Sequence, residues 1–228
     1  MAGGHVDCYL DISSFYSYVC FVDLLPNLDK LAAHKVHVDF HPVFLGAINH
    51  LSGNQPPWTL PAKARYLARD ARRAASRVGI ATFASPPDLL RRARTQSALR
   101  ALLFIKATYP PHVFLSAFYH LLYRFWTAPN ADVVADDDLA ALLAEATELP
   151  LPVTAATSLP PTAGGGRGGK RLFGRDEVAR IMDGRAGMKK KLVEDTTRLV
   201  EEGGAFGCPW FLVTNAKGSV EPVFGSDR

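Results

Sequence analysis

The chain opens on HVDCYLDI, where apolar, aromatic and polar residues alternate, and this predicts a buried first strand. A serine-rich turn follows. From there SYVCFVDLLPNLDKLAAH carries apolar residues at helical spacing, with Pro26 expected to interrupt the helix about halfway along. The next run, KVHVDFHPVF, alternates cleanly and sets Val36, Val38 and Phe40 on one face of a second strand. A β-α-β unit of this length predicts parallel neighbours, with the helix N-terminus at the carboxyl end of strand one.

Past the punctuated loop NHLSGNQPPWTLPAK the pattern changes. Segments 62–79, 86–108, 111–126 and 136–148 are rich in Ala, Leu and Arg at a 3.6-residue period and are expected to be helices. The Pro/Gly-biased stretch at about 150–175 is expected to be a flexible loop. Helix resumes in RDEVARIMDGRAGMKKKLVEDTTRLVEEGG, with interruptions expected near Gly184 and Gly187 and a stop at Gly203 and Gly204. CPWFLVT, the turn NAKG and SVEPVF then predict a hairpin. This order matches an α/β thioredoxin-like domain, residues 1–55 and 201–228, interrupted by an all-helical insertion domain at 56–200.

Composition narrows the function classes. At 228 residues and 48% hydrophobic, the chain can bury a substantial core. It has no uninterrupted apolar run of roughly eighteen residues and no secretory leader pattern, so an intracellular, cytoplasmic protein is the default expectation. Cys8, Cys20 and Cys208 form no CxxC and no metal-ligand spacing, which argues against disulfides and zinc and for reduced, small apolar residues. The net charge of +4 gathers in Arg clusters at 65–77, 91–100 and 167–175 without interleaved aromatics. That favours small anionic ligands over nucleic acid.

The candidate chemistry lies in DISSFYSYVCF. A first-strand-to-helix turn is where a thioredoxin-like redox CxxC sits, because the helix N-terminus stabilises a thiolate. Here Ser14 and Ser17 occupy those positions, and serine cannot cycle through a disulfide. A hydroxyl with helix amides can still hold a bound thiolate and lower its pKa. As a local string, Ser13, Ser14 and Ser17 also read simply as helix caps.

Four blocks together resemble the kappa-class glutathione transferases and the related 2-hydroxychromene-2-carboxylate isomerases, in the DsbA-like branch of thioredoxin folds. They are YLDISSFYSYVCF, PVFLGAINHLSGNQPPWTLPAKARY, GAFGCPWFLV and FGSDR, which in order span nearly the whole chain. The resemblance implies that Ser14 is the catalytic hydroxyl on the glutathione sulfur and that Asn54 and Lys63 hold the tripeptide. It implies that Cys208 offers its backbone to the ligand ahead of a cis Pro209, and that Ser226 and Asp227 hold the γ-glutamyl end. The Cys208 thiol could then stand near the bound sulfur and permit a mixed disulfide.

Two departures from the family pattern are visible. Phe15 replaces the proline after the catalytic serine and is expected to add bulk beside the sulfur site, and the chain reaches Arg228 where the family continues into a helix that packs on the sheet. A face of the hairpin is therefore expected to be exposed. Phe15, Tyr16, Tyr18, Trp58 and Trp210 are candidates to line a second-substrate pocket, although aromatic residues this frequent are more often core. The function implied is a glutathione transferase acting on a hydrophobic electrophile or peroxide, as a homodimer, with glutathione as cosubstrate and no metal. The alternatives are a glutathione-dependent cis-trans isomerase and an inactive binding or dimer-partner protein. By resemblance alone, mitochondrion and peroxisome stand beside the cytoplasm.

Overall fold

The structure, a computed structural model, describes residues 3–149 and 169–226. Its first strand, β1 (Gly4–Leu10), leads through the serine turn into α1 (Phe15–Leu24). Pro26 acts as expected: a single 3-10 turn at Leu25–Asn27 separates α1 from α2 (Leu28–Ala33). β2 (Val36–Pro42) returns parallel to β1, with Asp7 opposite Asp39 and Leu10 opposite Pro42. The loop expected at this point contains a further helix, α3 (Leu45–Ser52), which ends at Gly53 with φ 72°. Only about two turns long, it is too short to display a period, and the Gly53 and Asn54 that follow it signal a loop.

The helical middle comprises α4 (Pro61–Arg77), α5 (Leu89–Arg92), α6 (Gln96–Thr108), α7 (Pro111–Trp126) and α8 (Asp136–Glu145). The helix expected over 86–108 is thus split at Thr95. α7 starts with Pro at its first turn and is buried nearly all round from Phe114 to Trp126, as suits the central helix of the insertion. The loop expected at 150–175 falls outside the described residues as far as 168. From there, the chain is not loose: the Glu148 N–H donates to the Lys170 carbonyl and the Leu172 N–H to the Ala146 carbonyl. α9 (Arg175–Gly184), a 3-10 turn and α10 (Lys189–Glu201) follow. Gly184 does not break its helix by conformation. It is small because a Cβ there would meet the Phe104 ring at 2.2 Å.

β3 (Trp210–Thr214) and β4 (Val220–Phe224) complete a four-stranded sheet of order β2-β1-β3-β4, with β3 antiparallel to both β1 and β4. Strand alternation sends Cys8, Leu10 and Phe40 to one face, where Phe21 of α1 lies 4.8 Å from Phe40 and 5.1 Å from Phe118 of α7, centroid to centroid. Tyr9, Trp210 and Leu212 go to the other face, against Ile48 of α3 and Leu199 of α10. At the sheet edge β4 is exposed, as expected for the hairpin, with Val220 at 56%. Among the described residues no helix is long and apolar enough to cross a membrane.

Candidate active site at the first strand-to-helix turn

Ser14 takes extended backbone angles and caps α1, its Oγ accepting from the Ser17 N–H at 3.2 Å. That accounts for the capping expectation, but the hydroxyl does more. Its proton is donated to the Cys208 carbonyl at 2.9 Å, across 194 residues of sequence. The Cys208–Pro209 peptide is cis, as expected. The Cys208 N–H and the Phe15 N–H have no acceptor among the described residues. The Ser14 hydroxyl and the Phe15 N–H thus stand at the N-terminus of α1, where the helix dipole favours negative charge.

The turn is built on a residue that the pattern did not single out. Asp11 is fully buried. Its carboxylate accepts from the Ser13 N–H at 2.9 Å and the Thr95 hydroxyl at 2.8 Å on one oxygen, and from the Leu45 N–H at 2.7 Å on the other. Burial pushes its pKa up, and these hydrogen bonds pull against that rise. Asp11 therefore ties together the end of β1, the start of α3 and the Thr95 break before α6. The available signal was a carboxylate between Leu10 and Ile12 in an apolar run, where an acid is present only if partnered. Ser17 is the complement: fully buried, its Oγ accepts from the Asp11 N–H at 3.4 Å.

The other expected site residues are distributed unevenly. Asn54 is joined to the cis-proline loop, its Nδ2 donating to the Phe206 carbonyl at 2.6 Å. Ser226 is held there too: the Gly225 N–H donates to the Pro209 carbonyl at 3.2 Å, and the Ser226 carbonyl accepts from Arg77 at 2.6 Å. The buried Ser226 Oγ has no partner among the described residues. Lys63 sits exposed in the first turn of α4, without an ion pair among the described residues, and is not drawn into this cluster. Asp227 lies outside the described residues.

Several expectations are corrected. Phe15 does not stand beside the sulfur site: it is 7% exposed and packs 4.4 Å from Phe83 and 5.3 Å from Trp126. Phe at this position gives the core an aromatic ring and gives the turn an N–H that a proline would lack. Tyr18 and Trp210, expected to line a substrate pocket, are core residues at 3% and 5% exposure. The Tyr16 hydroxyl donates to Asp70, and only Trp58 is exposed. The Cys208 thiol is buried, and burial together with the Asp11 charge raises its pKa, which holds it as an unreactive thiol and works against a mixed disulfide.

Away from the turn, Asp7, Asp39 and His41 place three ligand-type atoms within 4.8 Å. They are already partnered, His41 with Asp7 at 2.7 Å and Asp39 with Lys106 at 2.7 Å. Burial, then Lys106, lowers the His41 pKa.

A strand-to-helix turn facing a cis proline, on a β-α-β unit interrupted by helices, defines a class of protein. Residues 5–147 match the model of the DsbA-like thioredoxin domain, and the chain belongs to that family. Over nearly its whole length it is similar to two particular proteins. It is 27% identical over 227 residues to glutathione S-transferase kappa 1 of Caenorhabditis elegans, covering 98% of this chain and 86% of that one. It is 25% identical over 225 residues to glutathione S-transferase kappa 1 of Homo sapiens, with the same coverage. Among solved structures, a 2-hydroxychromene-2-carboxylate isomerase superposes with a TM-score of 0.69 at 18% identity, covering 98% of this chain and 90% of that one. The cytosolic disulfide reductase DsbM of Pseudomonas aeruginosa with GSH gives 0.56 at 15% identity, covering 96% and 89%. These two likenesses concern the fold.

Proposed function

We propose that the chain is a glutathione S-transferase of kappa type, with glutathione as cosubstrate and Ser14 as the group that stabilises its thiolate. One juxtaposition carries the reading: a hydroxyl at the N-cap of α1, 2.9 Å from the carbonyl before a cis proline, in a chain similar end to end to kappa transferases. Serine supplies no redox sulfur, so the reacting sulfur comes from the ligand. A bound tripeptide whose N–H takes the Cys208 carbonyl frees the Ser14 proton to turn to that sulfur. The Phe15 N–H and the dipole of α1 favour the same negative charge. The thiolate then forms a sulfur–carbon bond to a hydrophobic electrophile as the leaving group departs with its electron pair.

Asn54 and the Cys208 backbone suit the peptide portion, Lys63 suits a carboxylate, and Ser226 with Asp227 suits the γ-glutamyl end. By resemblance the working unit is a homodimer. Glutathione binding by calorimetry at about pH 7 tests the reading, together with the thiolate absorbance near roughly 240 nm. Wild type is expected to bind and raise that absorbance, and Ser14→Ala to bind without raising it. An intact chain that binds no glutathione would overturn the proposal. Binding with equal thiolate signal in Ser14→Ala would remove Ser14 from its role. A conjugate carrying glutathione, rather than an isomer of unchanged mass, is the expected product.

A further inference from the structure

A concave region not lined by the serine turn, a cleft of about 690 Å³, is bounded by the start of α3, the segment leading into α6 and its first turns, the start of α8, the turn after α9 and α10. None of Ser14, Asn54, Lys63, Cys208, Pro209 or Ser226 lines it. Four cationic side chains do, Arg94, Arg100, Arg185 and Lys189, against the single carboxylate of Asp136. That carboxylate is taken by Arg185 at 2.5 Å. The other three cations have no carboxylate partner among the described residues.

The neighbours of these cations in sequence show that this is selective. In the run RRAR, Arg91 reaches Asp88 and Asp132 at 2.7 Å each and Arg92 reaches Asp88 at 2.6 Å, while Arg94 is left over and turned to the cleft. In the run KKK, Lys190 pairs with Glu194 at 3.6 Å and Lys191 with Asp195 at 2.8 Å, one helical turn on. One turn on from Lys189 stands Val193, 57% exposed and itself lining the cleft. Each basic run is thus neutralised except for the member that faces the cavity. The walls between the charges carry apolar surface from Phe44, Val134, Leu192 and Val193, alongside the polar Gln96, Ser97, Thr196 and Thr197. The cleft volume falls within the roughly 300–1,000 Å³ of small-molecule sites.

We propose that this cleft binds an amphipathic organic anion, a molecule with an apolar ring or chain and a carboxylate head, at a site separate from the Ser14 turn. The guanidinium of Arg94 and the terminal N–H groups of Arg100, whose Nε already donates to the Gln96 carbonyl at 3.1 Å, suit a carboxylate in two-point geometry, with Lys189 as a third positive charge. The apolar walls take the body of the ligand and distinguish it from a bare ion. The site does not depend on glutathione, so its test runs without it and its outcome is independent of the reading of Ser14.

The probe is naphthoate, titrated by calorimetry against the full chain, with neutral naphthamide and inorganic phosphate as comparisons. Naphthoate is expected to bind saturably, with naphthamide and phosphate each at least about tenfold weaker. Arg94→Gln, Arg100→Gln and Lys189→Gln should each lower naphthoate affinity by roughly tenfold, the loss of one charge-assisted hydrogen bond. Lys190→Gln, one residue along and already paired with Glu194, should leave it unchanged. Thermal unfolding of each variant checks that the fold is kept, and Lys189, exposed and without an ion pair among the described residues, gives a variant with little packing to lose. No saturable naphthoate binding, equal affinity for naphthamide or phosphate, or affinity unmoved in an Arg94→Gln, Lys189→Gln double variant would each overturn the proposal.

Discussion

Replacing Asp11 by alanine is expected to loosen the junction between sheet and helical insertion more than any change at Ser14. The substitution leaves three donors, the buried Ser13 N–H and Thr95 hydroxyl and the half-buried Leu45 N–H, without their acceptor. An orphaned buried donor costs about 1–3 kcal/mol. Against three such losses stands the relief of desolvating a carboxylate, whose raised pKa shows that burial penalises its charged form. With that relief set against the sum of three such losses, the net is expected toward the lower part of that sum, about 3–5 kcal/mol. For a chain of this size, with Tm moving about 2–4 °C per kcal/mol, the midpoint should fall by about 6–20 °C. Urea titration followed by circular dichroism and by Trp126 fluorescence tests it, because the indole Nε1–H of Trp126 donates to the Ile12 carbonyl at 2.8 Å, one residue from Asp11. A loss below about 1 kcal/mol, the size of an ordinary surface change, would refute the account of Asp11 as the tie between β1, α3 and α6.

The same carboxyl gives a pH signature. Its pKa is raised on folding, so its contribution to stability is fully present below the unfolded value of about 3.9 and is lost as pH rises through the folded value. The stability deficit of Asp11→Asn should therefore shrink with rising pH in denaturant titrations from about pH 3 to pH 8, and a deficit that grows would reverse the sign of the shift. Ser14→Ala removes the cap on Ser17 and should cost about 1 kcal/mol in unfolding free energy. In spectrophotometric titration of bound glutathione it should raise the thiol pKa by about 1–2 units, as loss of a hydrogen bond to a charged group implies, and an unmoved pKa would contradict the role proposed for Ser14. Gly184→Ala drives a methyl into Phe104, and a Tm equal to wild type, in place of a loss of about 1–3 kcal/mol, would contradict that packing.

The strand and helix order was legible because it rests on local periods. Alternation in VHVDF can satisfy only a strand with one face buried, and PHVFLSAFYHLLYRFW only a helix inside a core. The break at Pro26 was legible because it is covalent, and the family resemblance because its motifs recur in order. Short pieces were not: α3 has too few turns to display a period, and at the split before α6 Thr95 gives its hydroxyl to Asp11, 84 residues away. For the same reason the site was read in its residue types and misread in its surroundings. Serine at the turn excludes dithiol chemistry whatever the fold does, but only the tertiary structure turns Phe15 into the core, buries the Cys208 thiol, and brings the Ser14 hydroxyl to a carbonyl 194 residues on. Local sequence fixes which conformations and chemistries a segment can support. Long-range hydrogen bonds and burial decide which of them it adopts, because their partners are not neighbours in the chain.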